Sequence, residues 1–500
     1  MALALALAAA GVFTSTACDT KKEAGKATTT AAVAQPAPPQ VKKPLDTKPL
    51  PALAADPGGA TGKPVWAIGF GGLGSESVRD VAVTATGDIY VAGYFDGETD
   101  LGAGGKHASV GDKTSDAYLV KLGGDGQIAW GRTFGNKRDD TANAVAVSGD
   151  VVAVAGNFLD ELALGELKHK SSGSDDLYVA AFDAAGEPKW LYTAGGIDSD
   201  GANSIAATPD GGWIVGGSFM DVGTFDPTRT LKSKGGTDAV LIKLAASGDL
   251  EWIKQFGGKH NDSIRHLAVD AQGNIYVQGT FRDTAEWGGA PMTASGASTD
   301  IVLAKYDLNG DHVWSMRHGN AFEEGASGVV VDPAGTITMV GTFDRGISFG
   351  PGDDHTSVGE SDVFVASFTN DGKLAWVRTW GADRNDAAAA VAADAAGNII
   401  VTGWFEGTVD FGKGAVTSKG NKEVFAAKLD PKGALVWAQS WGDKDHDQGR
   451  AIAVDSAGAI YVAGLYRFKL DLTAAPALES KRADGDRIPK ADTFVVKLER

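Results

Sequence analysis

Cysteine is almost missing from this chain, with one residue, Cys18, in 500. A single thiol makes no intramolecular disulfide and no thiolate-rich metal site. Histidine is also sparse: eight residues stand singly at 107, 169, 260, 266, 312, 318, 355 and 446. None falls in a His-Glu-x-x-His pattern, which would put two imidazoles on one helix face for zinc. Basic charge is short as well, 46 Lys and Arg against 64 Asp and Glu, for a net charge of -18. That balance excludes nucleic acid as an expected partner, because phosphate binding needs clustered cations. It leaves cationic partners and metal ions open.

What is abundant is glycine, 68 residues, together with a regular spacing of tryptophan. Trp66, Trp130, Trp190, Trp252, Trp314, Trp376 and Trp437 are separated by 64, 60, 62, 62, 62 and 61 residues. Such a period means a repeat architecture in which one unit cannot bury its apolar face without its neighbours. Each unit reads in the same order. A small-residue strand such as Ala451-Ile-Ala-Val454 is followed by an Asp-x-x-Gly turn and then by an Ile-Tyr-Val-x-Gly-x-aromatic strand. A variable loop leads to a third strand such as Glu423-Val-Phe-Ala-Ala-Lys-Leu429. A second turn, as in Asp430-Pro-Lys-Gly433, opens the strand that carries the Trp.

Four antiparallel strands per unit is the content of a propeller blade. The spacing predicts an all-β, seven-bladed β-propeller of four-stranded antiparallel blades over residues 63–500. The last unit ends on its third strand, so the N-terminal strand around Trp66 is expected to complete it and remove an open edge. The small first strand is expected innermost, and each Trp is expected to anchor blade to blade.

Residues 1–17 read as a signal peptide, since the apolar run 2–13 is too short to span a bilayer. Ser15-Thr16-Ala17-Cys18 resembles a bacterial lipobox, which implies a lipoprotein with lipid attached at Cys18. The alternative is a signal peptide with an incidental cysteine. Residues 18–62, rich in Pro, Ala, Thr and Lys, form a disordered tether in this reading. Trp441-Gly-Asp-Lys-Asp-His-Asp447, Tyr461-Val-Ala-Gly464 and Asp492-Thr-Phe-Val-Val-Lys-Leu498 resemble the bacterial SBBP beta-propeller repeat. The resemblance implies an extracytoplasmic, often surface-associated protein without a settled activity.

Two positions are acidic in every unit. One set is Glu76, Asp140, Asp200, Asp262, Glu324, Asp386 and Asp447; the other is Asp116, Asp176, Asp238, Asp300, Asp362, Glu423 and Asp492. Both sets are expected at one rim, either accepting turn N–H groups or presenting a ring for binding. Calcium is the one cation they leave open, and Asp443, Asp445 and Asp447 alternate weakly like a calcium loop; otherwise no cofactor and no catalytic residue is expected. Trp287 and Trp404, off the repeat, are the candidates for exposed contacts.

The expected function is a binding scaffold in the bacterial cell envelope, monomeric, meeting a protein or glycan through its loops and the membrane only through Cys18. The outer membrane or cell surface is preferred to the inner membrane. The alternative is a propeller enzyme of hydrolase or lyase type with an acidic, cation-dependent site at the central channel.

Overall fold

The computed structural model describes residues 61–111, 113–472, 475–481 and 489–500. The expected signal segment, Cys18 and the tether up to residue 60 lie outside the described residues. The turns form as their composition dictates. At Asp430 the carboxylate accepts the N–H groups of Lys432 and Ala434 at 2.9 and 2.8 Å. Gly433 takes φ 78°, a left-handed conformation that is easy only without a Cβ. The same carboxylate-to-backbone bonds close the turns at Asp270, Asp307, Asp394 and Asp455.

These turns join strands into an all-β propeller. The only helical piece among the described residues is the 3-10 turn Gly102–Gly104. The predicted count of seven four-stranded blades is corrected by the hydrogen bonding. Five four-stranded sheets stand as separate blades. Four of them are each built from one continuous stretch of chain, running Glu76–Val83 to Ile128–Phe134, Ser263–Val269 to His312–His318, Glu324–Val331 to Leu374–Trp380, and Ala387–Ala393 to Leu435–Trp441. The fifth joins Gln448–Val454, Ile460–Tyr466 and Asp492–Leu498 to the N-terminal strand Pro64–Phe70, with Trp66 opposite Lys497 and Phe70 opposite Thr493.

The strands from Thr141–Ser148 to Leu250–Gly258 are not divided this way. Apart from the separate hairpin Glu161–Leu164 and Leu167–Lys170, they merge, with Thr284–Glu286 and Met292–Thr293, into one ten-stranded sheet. The physical cause is an overlong hairpin, Trp213–Asp226 and Arg229–Leu244, of 14 and 16 residues. Its outer half folds back onto the end of Pro188–Gly196, placing Gly195 opposite Thr224 and Gly196 opposite Gly223. A Cβ on Gly196 would strike the Val222 carbonyl, so the join exists because that residue has no side chain.

Apolar clusters lie between neighbouring sheets. One packs Ile214 and Leu241 of the merged sheet against Ile275 and Val302 of the next blade. Another packs Val91 and Tyr118 of the first blade against Tyr461 and Val495 of the closing blade. Each Trp extends this packing to the next repeat. The indole N–H groups of Trp66, Trp130, Trp190, Trp252, Trp314 and Trp376 donate to turn carbonyls of the following repeat at 3.0 to 3.2 Å. The turn glycine lies against the ring: a Cβ on Gly433 would sit 2.7 Å from Trp376. For Trp437 the next turn is split between the two chain ends. Gly62, at φ 63°, lies against its ring, and the Glu499 N–H donates to the Lys63 carbonyl at 2.9 Å.

Gly433→Ala adds both a strained φ and a clash with Trp376. It should cost on the order of 2 kcal/mol in denaturant unfolding. Gly87 has φ 87° and no heavy atom within 4 Å of a built Cβ, so Gly87→Ala isolates the backbone strain and should cost less, about 1 kcal/mol. Equal losses in the two variants would show that the indole contact contributes nothing.

Candidate functional site

All fourteen acidic positions are buried. In four of the first set, one oxygen accepts the N–H four residues upstream and the other accepts an N–H from the next strand's end, whereas neither oxygen of Glu76 has a hydrogen-bond partner. Asp140 does so with Asn136 and Leu159, Asp200 with Gly196 and Met220, Asp386 with Ala382 and Glu406, and Asp447 with Asp443 and Arg467. Asp262 accepts Gly258 N–H at 2.7 Å and Glu324 accepts Asn320 N–H at 2.9 Å. The second set caps the loop before the third strand. Val110, Ser172, Lys234, Ser295, Val358, Lys419 and Lys481 donate their N–H groups to Asp116, Asp176, Asp238, Asp300, Asp362, Glu423 and Asp492.

The two sets meet in pairs where one repeat follows another. A Cβ built on Gly71 would lie 2.7 Å from Asp492 Oδ1 and 2.8 Å from Glu76 Oε2. One on Gly319 would lie 2.8 Å from Glu324 Oε2 and 2.9 Å from Asp300 Cγ. The facing oxygens, Glu76 Oε2 with Asp492 Oδ1 and Glu324 Oε2 with Asp300 Oδ1, are buried and have no hydrogen-bond partner. Burial, reinforced by the partner carboxylate, pushes Asp140, Asp200, Asp262, Asp386 and Asp447 up to about 7 and Glu76 and Glu324 up to about 9. Near neutrality the raised member of such a pair retains much of its proton.

Among the described residues no three His, Cys, Asp or Glu side chains gather to hold a metal. In the Asp443 loop, Asp443 Oδ1 accepts Asp445 N–H at 3.1 Å and Asp445 Oδ1 accepts His446 N–H at 2.8 Å, so the backbone takes up these oxygens. Gly346-Ile-Ser348-Phe-Gly350 has the spacing of a nucleophile elbow. Ser348, however, ends a strand paired to Asp354, and its Oγ donates to the Gly350 carbonyl at 3.3 Å, with no helix following.

The convergent, nonrepeating chemistry is elsewhere. Every inner strand carries a β-bulge at one equivalent place, and the unpaired residue there is Arg79, Asn143, Asn203, Arg265, Ser327, Ala389 or Arg450. A bulge re-aims its side chain, and all of these line one cavity of about 520 Å3 on the ring axis. Each lies thirteen residues after its repeat's Trp. That offset was visible in the sequence, but the residue type there varies, so an inspection for repeated residues passes over it.

The channel mouth is cationic in an acidic protein. Arg79, Arg265 and Arg450 make no ion pair with a described residue, and Arg450 Nε is buried without a hydrogen-bond partner. Burial lowers the Arg450 pKa, and the neighbouring Arg79 lowers it further. The Lys422 ammonium lies 3.4 Å from the centre of the Trp404 ring, which also faces the cavity. In the deeper wall, Asp80 accepts the N–H groups of Val81 and Val145 at 2.8 and 2.9 Å, and burial pushes it up to about 7. Burial brings His266 down to about 4, with Arg265 adding to the effect. Of the two tryptophans expected as exposed contacts, Trp404 is half-buried at the mouth. Trp287 is fully buried and stacked on Phe256 at 5.7 Å, which corrects the expectation that it is exposed.

Fold and strand pairing define an all-β propeller. Residues 251–280 match the SBBP family model, described as a beta-propeller repeat, so the chain carries that repeat. It is similar to the "Regulatory protein FlaEY" of Caulobacter vibrioides, at 30% identity over 236 residues, covering 43% of this chain and 23% of that protein. It is also similar to an uncharacterized WD repeat-containing protein, L264, of Acanthamoeba polyphaga mimivirus, at 22% identity over 497 residues, 78% of this chain and 35% of that one. The chain thus spans about a quarter to a third of the length of these relatives. Among solved structures, the Neurospora crassa Pan2 WD40 domain matches with a TM-score of 0.43 at 8% identity, covering 90% of this chain and 98% of that one.

The carboxyl pairs set a pH dependence. Raised folded pKa values mean that the native state holds protons more tightly than the unfolded chain. Their stabilisation is complete below the unfolded carboxyl range near pH 4 and is lost as pH rises through about 7, or about 9 for Glu76 and Glu324. Thermal melting should therefore shift upward by several degrees from pH 8 to pH 5, and Asp140→Asn should flatten that slope. Added calcium at pH 8 should leave the melting temperature unchanged; a calcium-dependent rise would mean that a cation replaces the retained proton.

Proposed function

We propose that this protein is a monomeric, lipid-anchored scaffold of the bacterial cell envelope, facing the outer membrane or cell surface, that binds an extracytoplasmic ligand over the mouth of its channel. The observation carrying this reading is the convergence of nonrepeating bulge residues on one cavity. A scaffold keeps its repeats alike where they pack and unlike where they meet a ligand. The groups offered at the mouth are guanidinium, amide, hydroxyl and indole, which hold a ligand rather than exchange protons near neutrality. The acidic enzyme alternative draws less support, because the acids expected around the axis lie paired between repeats and Asp80 is engaged by two backbone N–H groups. The membrane tether is carried by the lipobox-like end of the apolar segment at Cys18.

Two experiments test these parts. A metabolic palmitate analogue should label the full chain in cells, and Cys18→Ala should abolish the label; label surviving that change would remove the lipid anchor. A photo-crosslinking amino acid at Ser327 should trap an envelope component, while one at the exposed turn residue Asp371 should not. Trapping at Asp371 alone would move the binding surface to the outer turns.

A further inference from the structure

We infer that the channel mouth is a site for an acidic saccharide, whose carboxylate, sulfate or phosphate group sits between Arg79 and Arg450. The inference rests on reading the mouth as a binding surface and names the chemical class of the ligand. Arg79 and Arg450 occupy equivalent bulges on neighbouring inner strands, Gln448–Val454 in the closing blade and Glu76–Val83 in the first. Lys422 stands close enough for Arg450 to depress its pKa, and Arg265 faces the same cavity. Like charges placed together without carboxylate partners cost stability when no anion is present and are relieved when one enters. The nearby acid, Glu406, acts on Lys422 and forms no ion pair with either arginine.

An oxyanion suits this arrangement. Two guanidinium forks offer parallel N–H donors, and the buried Arg450 Nε still lacks an acceptor. The cavity, about 520 Å3, is far larger than a lone phosphate needs, and its wall also includes Asn143, Asn203, Ser327 and Thr342 beside the Trp404 ring, with His266, Val78 and several alanines between them. Neutral amides and hydroxyls around an aromatic face suit sugar hydroxyls and a sugar ring, with the arginines taking the charged substituent.

Isothermal titration of the full chain in detergent, at low ionic strength, tests this with tetragalacturonate, maltotetraose, inorganic phosphate and hexaglutamate. Tetragalacturonate should bind, its affinity should fall as salt is added, and Arg450→Gln and Arg79→Gln should each weaken it at least tenfold. Arg138→Gln, in an exposed loop, should leave it unchanged. The melting temperature of Arg450→Gln should not fall, because the substitution removes a repulsion; a purely structural role would lower it. Undetectable tetragalacturonate binding, or equal binding by Arg450→Gln, overturns the inference. Phosphate binding as tightly as the tetrasaccharide would make it a free-anion site, and tighter hexaglutamate binding would make it a site for acidic peptide; either result overturns the saccharide assignment. If crosslinking at Ser327 persists while the anion titrations fail, the scaffold reading stands and only the ligand class falls.

Discussion

An indole resting on the turn glycine of the following repeat is the contact on which the ring depends. The six hydrogen-bonded indoles are half-buried, so each contributes less than the roughly 5 kcal/mol that about 200 Å2 of fully buried indole would give at about 25 cal/mol per Å2, and their N–H bonds fix where that surface lands. The contact joins neighbours and not strands of one sheet, so the register of each repeat is passed to the next. Its geometry leaves no room for a side chain on the receiving turn. The glycine phrase and the Trp are therefore two halves of one joint.

The charges are divided by role. Fourteen of the 64 acidic residues are withdrawn into joints between repeats, where their oxygens close loops and face one another. The net negative charge of the chain thus overstates how acidic its functional surface is. On the axis the balance reverses, with arginines at three of the bulged positions and the one carboxylate of the deeper wall held by backbone N–H groups. Bulk charge describes solubility and long-range steering; the local field at a site is set by which side chains a bulge turns inward.

The Trp period and the Asp-x-x-Gly turns made the repeat and its strand order legible, because they recur unchanged. The period counts repeats, however, and a count of sheets depends on something else: whether one hairpin grows long enough to bond its neighbour. Gly196 and the extra length of Trp213–Asp226 decide that, and neither is uniform among the repeats: the position of Gly196 is Gly again at 72 and 258 but Asn136, Asn320, Ala382 and Asp443 elsewhere. The acidic positions were visible for the same reason as the tryptophans, though the sequence could not say that they pair across a junction. The bulge residues were hidden by their variation. A position that changes from Arg79 to Asn143 to Ser327 has no signature of its own and is found only by its fixed offset from Trp. Trp287 misled because lying off the repeat was read as lying off the core, whereas it fills a gap against Phe256.

The pairing of Pro64–Phe70 with Asp492–Leu498 bears on the order of biosynthesis. Pro64–Phe70 is synthesised before the strand it pairs with, so its edge stays unmatched while the intervening repeats are made. Each later repeat can dock on its predecessor as it emerges, but the ring stays open until Asp492–Leu498 has been made. The joint between these chain-distant strands is therefore the one that stepwise docking of neighbours cannot supply.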